Sequence, residues 1–389
     1  MPQRAGVRMR AKVAFAAVVV CVASVLSIPA GAQDSRPWKQ GKGEAPTVTR
    51  LGYQINENTV GLISGNLNGT YLSIAHDMSA VLDNGNDFRV LPIIGKGGGQ
   101  NIRDVRLLKG VDLGITQSVL LQYFKQTNEL GPLEDKLVYI AKLFNEEMHF
   151  IVRSDSGITT PEQLNGKKVN FSDIGSGTQL SLHIFFERLG VKPVEVNMGQ
   201  NDGFEALKRG DIAATILIAG KPTGSTRTLK SSEGFKILPV AYQKPLQDYF
   251  LPAVLTHEDY PTLIEQGQRI DTIAVGAVLF AYNWPVGTDR YNRLVKFVDQ
   301  FFPRLADFQK APRHPKWKEA NLAATLPGWT RFGPAEEWLK KRVPSSDAER
   351  KQFEEYLGSQ RGARAQAFAP EQRDQLFEEF LKWRQTRGR

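Results

Sequence analysis

Short apolar runs alternate with amphipathic stretches along this chain, and the period changes at turns rich in glycine and asparagine. Thr59–Ser64 (TVGLIS) reads as a strand. Thr70–Leu82 reads as a helix, with Leu72, Ile74, Ala75, Met78 and Leu82 near helical spacing. Phe88–Ile94 is a second strand, Gln100–Leu108 a helix and Val111–Gln117 a short strand; Leu137–Phe144 and Met148–Val152 follow as two separate strands. A second set repeats the design. It has a helical turn at Pro161–Leu164, a strand at Lys168–Phe171, a helix at Gln179–Leu189, a strand at Val194–Met198, a helix at Asp202–Arg209 and a strand in DIAATILIAG. Strand, glycine-rich turn, helix, strand is the α/β pattern, and here it occurs twice. Ile270–Asn283 is apolar and β-rich, and Thr288–Phe302 reads as a helix. Beyond about residue 310 the chain becomes loop-like, then gives two charged amphipathic helices, Ser346–Leu357 and Pro370–Trp383. In the second, Leu376, Phe377, Phe380 and Leu381 form a stripe that packs on the body or docks a partner.

The amino terminus carries a different signal. Arg4, Arg8, Arg10 and Lys12 precede the apolar run Val13–Ile28, and Ala30-Gly31-Ala32 supplies a small-x-small site. This predicts a cleaved export signal over residues 1–32, a polar linker over 33–47 and a periplasmic location. The apolar run is shorter than the roughly 20 residues a spanning helix needs. Cleavage after Ala32 takes 32 of the 389 residues and leaves 357, enough for one large or two medium cores. Cys21 is the only cysteine and lies inside the signal, so the mature chain has no disulfide and no thiolate chemistry.

The net charge of +9 falls to +5 once the four basic residues of the signal are removed. The remaining basic residues are dispersed, which argues against nucleic acid as a partner.

Three loops at strand-to-helix junctions carry the candidate chemistry. In GNLNGTY, Gly65 and Gly69 permit close approach, and the helix starting near Thr70 points free N–H groups into the loop, an anion site in the making. A nucleotide phosphate loop needs a lysine after its last glycine, and Thr70-Tyr71 stands there instead. In IGKGGGQNI, three consecutive glycines precede Gln100 and Asn101, with Lys96 as a cation equally suited to solvent. In DIGSGTQLS, Gly175-Ser176-Gly177-Thr178 forms a nest of a size suited to a carboxylate. Two α/β units facing each other would line a cleft with these loops.

Catalysis fits less well. The five histidines (76, 149, 183, 257 and 314) show no metal-binding spacing on a helix face, and there is no G-x-S-x-G elbow. No metal and no cofactor are expected. A hydrolase would need a base beside Ser176 or Tyr71, which no spacing supplies.

ISGNLNGTYLSIAHDMS, GKGGGQNIRDVRLLKGVDLGITQS, LFNEEMHFIVRSDSGITTPEQLNGKKVNFSDIGSGTQLS and ALKRGDIAATILIAGKP, in that order, resemble the TAXI family, the extracytoplasmic solute receptors of TRAP-type transporters. The resemblance runs from about Val60 to Phe308. It implies a type II periplasmic binding-protein fold: lobe one over 48–150 and 245–310, lobe two over 151–244, crossovers near 150–154 and 239–245, and a C-terminal helical extension over 311–389. It implies capture of a small organic acid or amino acid, often a dicarboxylate such as glutamate, and delivery to a TRAP-type membrane permease. By the same resemblance Asn66, Asn68, Gly69, Thr70 and Tyr71 contact ligand from lobe one, with Gln100, Asn101, Gln117 and Ser118 on the same lobe. Ser176, Gly177 and Thr178 close from lobe two, and Lys221 is the cation for a ligand carboxylate. The family has a Gly-Gly pair near Gly65, where this chain has Asn66, and the chain beyond residue 310 is longer than the family's. An orphan sensory or interaction protein on the same fold, or a small-molecule hydrolase, is the alternative.

Overall fold

Two long antiparallel strands form the spine of one 11-stranded sheet, and the α/β units hang from either end of it. The computed structural model describes residues 45–342, residues 68 and 134 excepted. The export signal, residues 33–44 of the linker, Asn68 and the two amphipathic helices beyond residue 345 therefore lie outside the described residues.

The elements run in order α1 (Ala45–Glu57), β1 (Thr59–Ile63), α2 (Thr70–Leu82), β2 (Arg89–Ile93), α3 (Gly98–Leu107), β3 (Leu113–Gln117), α4 (Leu120–Thr127) and β4 (Leu137–Arg153). Then come β5 (Lys168–Asn170), α5 (Gly177–Leu189), β6 (Val194–Val196), α6 (Gln200–Arg209), β7 (Ala214–Ala219), β8 (Phe235–Ile237) and β9 (Leu251–Thr256). The chain continues with β10 (Arg269–Tyr282), α7 (Asp289–Phe301), α8 (Leu305–Phe308), β11 (Thr330–Arg331) and α9 (Gly333–Arg342).

The strand order is β2-β1-β3-β10-β4-β7-β5-β6, with β8 and β11 beside β4 and β9 beside β10. In the first half β2, β1 and β3 are parallel, joined by α2 and α3; in the second β7, β5 and β6 are parallel, joined by α5 and α6. Each spine strand is antiparallel to the set it pairs with, β10 to β3 and β4 to β7, and the two are antiparallel to each other. Two α/β halves joined by strands that pass through both make the type II periplasmic binding-protein fold.

Most elements fall where the apolar periodicity puts them, α2 with the same boundaries. The differences are physical. β4 is one 17-residue strand rather than two. The interruption at Asn145-Glu146-Glu147 is polar in sequence, but both carboxyl groups are buried and bonded in the fold, so the ladder continues through them. Gly276 faces Asn145 while Val278 faces Lys142, so β4 carries an extra residue there, a bulge that bends the spine where the halves meet. Residues 239–245, expected as a crossover, are a loop with a short turn at Lys244–Leu246. Helices α1, α4, α8 and α9 and strands β8, β9 and β11 are additional to the expected elements.

Apolar side chains fill both faces of the sheet. One cluster runs unbroken under both halves and includes Ile102, Phe124, Phe150, Phe185 and Phe280. A second covers the other face of the first half, with Ile74, Met78, Phe144, Phe297 and Phe301. A third covers the second half and joins Phe204 and Leu207 to Leu255, Tyr260 and Ile264. Residues 255–264 thus pack with the half made by β5–β7, although the sequence groups them with lobe one.

Residues 311–342 are also part of the body. Trp317 is fully buried against Phe301 and Phe308, and β11 pairs with the start of β4. Its tryptophans are scattered through a mostly polar stretch and show no periodicity. We expect Trp317→Ala to lower unfolding free energy by about 3–5 kcal/mol, the usual cost of emptying a large aromatic site. Urea unfolding followed by circular dichroism checks it; a change below 1 kcal/mol, roughly what surface residues give, would mean the segment is peripheral.

Candidate functional site

Four helices begin at one place. α2, α3, α5 and α6 start at Thr70, Gly98, Gly177 and Gln200, and their first turns line a cavity of about 60 Å³ between the two halves. The first N–H groups of a helix have no partner within it, and the backbone dipoles add a partial positive charge there. The glycine-rich loops before α2 and α3 let backbone come close to the cavity without side chains in the way. Three of the helices have no side-chain cap, Gly69, Gly97 and Gly199 being their N-cap residues. α5 is capped by Ser176, whose Oγ accepts from the Gln179 N–H at 3.2 Å.

The structure brings together many of the residues expected from sequence. Asn66, Gly69, Thr70, Tyr71 and Gln117 line the cavity from the first half, and Ser176, Gly177 and Thr178 from the second. Several also hold the halves against each other. Thr70 Oγ1 donates to the Gly220 carbonyl at 3.0 Å, and Ser181 Oγ donates to Gln117 Oε1 at 2.6 Å. The Gln100 N–H donates to the Gly175 carbonyl at 2.9 Å. Thr178 Oγ1 accepts from the Ile218 N–H at 3.1 Å, fixing α5 to β7.

Four expected residues work elsewhere. Lys221 Nζ donates to the Val254 carbonyl at 2.7 Å and to Asp259 at 2.9 Å, so its charge is spent within the second half. Asn101 is fully buried and its amide bridges the Ser64 and Ile115 carbonyls at 2.8 and 2.7 Å, clamping the ends of β1 and β3. Gln100 Oε1 accepts from the Lys96 N–H at 2.8 Å and shapes the glycine loop. Ser118 exchanges bonds with Gly276: its N–H donates to the Gly276 carbonyl at 2.8 Å, and its Oγ accepts from the Gly276 N–H at 3.2 Å. These four position the site.

Sequence reasoning missed Glu146, Ser172, Gln200 and Ser225, all of which line the cavity. Glu146 is the most consequential. It is buried on the crossing strand, and Tyr71 Oη donates to its Oε2 at 2.5 Å. Burial pushes its carboxyl up to about 8; bonds from Tyr71 and Gln117 oppose this, Glu147 adds to it and Lys316 opposes it. Burial, then the Glu146 charge, raises the Tyr71 phenol well above its usual value. A pair of glutamates inside an apolar run was the signal available in sequence. Among the described residues lining the cavity, Glu146 and Tyr71 are ionisable and none is a lysine or arginine.

Behind the cavity, Glu147 meets Lys316 Nζ at 2.6 Å, both nearly excluded from solvent, and also accepts from the Lys221 N–H at 3.0 Å. Burial raises the Glu147 carboxyl and Lys316 opposes the rise. Ser176, the hydrolase candidate, is bonded as a helix cap, and His149, His183, His257 and His314 bond to other groups. Among the described residues no cluster of three or more His, Cys, Asp or Glu could hold a metal ion, and no helix is long and apolar enough to cross a membrane.

The chain belongs to the NMT1-like family, whose sequence model matches residues 62–327. Solved structures similar to it include the periplasmic binding protein BugD, at 14% identity over 74% of this chain and 94% of that one, with a TM-score of 0.46. MatC from Rhodopseudomonas palustris, solved with bound malate, is 15% identical over 73% of this chain and 97% of that one, with a TM-score of 0.40. The periplasmic aliphatic sulphonate binding protein SsuA from Escherichia coli is 15% identical over 67% and 76%, with a TM-score of 0.39.

The raised Glu146 carboxyl has a consequence for stability. The group binds its proton more tightly folded than unfolded. Its contribution is therefore present below its ordinary value of 4.5 and is lost as pH rises through about 8. Glu146→Gln removes that loss. We expect the variant's stability to fall less steeply than the wild type's between pH 5 and pH 8, read by urea unfolding at a series of pH values. Parallel curves would show that Glu146 is ionised in the folded protein.

Proposed function

We propose that this chain is an exported solute receptor. It captures a small organic acid or amino acid between its halves and delivers it to a TRAP-type membrane transporter, the partner that the TAXI resemblance implies. The observation that supports this most is the convergence of four helix N-termini and several buried polar side chains on one cavity spanned by the spine strands. Such a cavity offers donors to a carboxylate. Tyr71 has a carboxyl group beside it, Glu146 at 2.5 Å, but burial holds that carboxyl up at about 8, which makes it a poor base at neutral pH, and Ser176 is bonded as a helix cap.

In this reading Asn66, Gly69, Thr70, Tyr71, Gln117, Ser176, Gly177 and Thr178 contact the ligand. Asn68 belongs to the same loop. We place the lobe boundaries in the spine near Glu146 and Gly276, so lobe two takes in residues 147–275. Opening would be a bend of the two spine strands at their bulge. The closed state requires glycine at the contact: a Cβ on Gly98 would stand 2.2 Å from Gly177 Cα.

Mature protein, unfolded and refolded to strip carried-over ligand, should gain several degrees in melting temperature from one compound in a panel of organic and amino acids. That compound should be recovered chemically unchanged. Turnover of the hit would replace the receptor reading with an enzyme. Gly98→Ala should weaken the same ligand by about 100-fold or more, equivalent to roughly 2.7 kcal/mol. It should also abolish the ligand-dependent decrease in radius of gyration seen by X-ray scattering. Unchanged affinity would mean that closure does not involve the Gly98–Gly177 contact.

A further inference from the structure

The cavity is polar in two different ways at once. Its helix N-termini offer donors and partial positive charge, which suit a carboxylate. Other lining groups are acceptors that lack donors. Gln200 Oε1 and Ser225 Oγ are buried without a hydrogen-bond partner, and both residues are more than nine-tenths excluded from solvent. Glu146 adds a carboxyl group to the lining of the same cavity. A buried acceptor left unpaired is costly, so such a set calls for a ligand that donates.

The charged and titratable groups around Glu146 narrow the choice. Tyr71 faces it from α2, Glu147 adjoins it on β4, and Lys316 approaches from the segment before β11. The Lys316 charge is taken by Glu147 at 2.6 Å and Glu319 at 2.8 Å. An ionised Glu146 therefore lacks a dedicated cation on the protein. A dicarboxylate would set its second negative charge against this wall with no lysine or arginine lining the cavity to receive it. An ammonium group has three N–H donors and a positive charge, matching the acceptors of Glu146, Gln200 and Ser225. The volume of about 60 Å³ holds roughly four to six water-sized groups, too few for a long side chain.

We infer that the ligand is a small α-amino acid with an uncharged side chain, its carboxylate held at the helix N-termini and its ammonium group by Glu146, Gln200 and Ser225. This inference rests on the receptor reading and specifies its cargo. Glu146, protonated at neutral pH, becomes ionised when the ammonium group arrives; its proton leaves to solvent and no other bond changes.

The test uses stripped wild-type protein and matched probes: glycine, L-alanine and L-serine against propionate, L-lactate and succinate. Titration calorimetry at pH 7, repeated in buffers of different ionisation enthalpy, counts protons released. We expect at least one amino acid to bind about 100-fold tighter than its counterpart lacking the amino group. Its binding should release close to one proton, and Glu146→Gln should abolish that release. Wild-type proton counts suffice should the variant fail to fold. Propionate, lactate or succinate binding as tightly as the amino acids, or amino-acid binding without proton release, would overturn the inference and leave the receptor reading standing. Binding by none of these or the wider acid panel would overturn both.

Discussion

Two adjacent carboxyl groups buried in the middle of a strand set the terms for the rest of this structure. Side chains alternate across a strand, so Glu146 and Glu147 on β4 reach opposite sides of the sheet. Burying an ionised carboxylate costs several kcal/mol unless it is paired and hydrogen-bonded. The fold meets that cost in two ways. Glu146 holds its proton and shares hydrogen bonds with Tyr71 and Gln117. Glu147 pairs with Lys316 and accepts the Lys221 N–H. Lys316 comes from a segment far along the chain, so that segment must be docked for the strand to exist as it does. Trp317 beside it fills the core and fixes the lysine in place.

The same place in the chain is where the two halves meet. The β4 bulge lies opposite Gly276, and Ser118 holds Gly276 by bonds to both its N–H and its carbonyl. The cavity wall, the bend in the spine and the buried glutamates are thus within a few residues of one another. A ligand that touches Glu146 acts directly on the strand that joins the halves. Closure in such an arrangement needs no long relay. The contact of Gly98 with Gly177 and the bonds from Thr70 to Gly220 and Ser181 to Gln117 supply the rest.

In the proposed receptor, specificity would come from what is absent from the cavity lining as much as from what is present. Helix N-termini attract an anion without committing a side chain, so their positive charge is diffuse and limited. A single buried carboxyl shares that small space with them. This is a more selective arrangement than a cavity with an arginine, which would fix a carboxylate bidentately and tolerate much beyond it. Lys221 would have been such a cation, and the structure gives it to Asp259 instead.

The local sequence was enough to place β1, α2, β2, α3, β3, α5, α6, β7, β10 and α7, because their apolar periods are strong and their ends are marked by glycine, asparagine or a capping hydroxyl. It was also enough to find three of the loops that meet at the cavity, since a helix start after a glycine-rich turn has a chemical meaning wherever it lies. It could not show that Asn145-Glu146-Glu147 continues a strand, because polar residues in an apolar run read as a break until their partners are known. Tyr71 is 75 residues from Glu146, and Lys316 is 169 residues from Glu147. Nor could it separate Tyr71 and Gln117, which face the cavity, from Asn101, Ser118 and Lys221, whose polar groups are used by the backbone or an ion pair. Sequence determines which groups are available and where helices begin. Only the tertiary structure decides which of those groups are already satisfied, because the bonds that satisfy them come from residues far away in the chain.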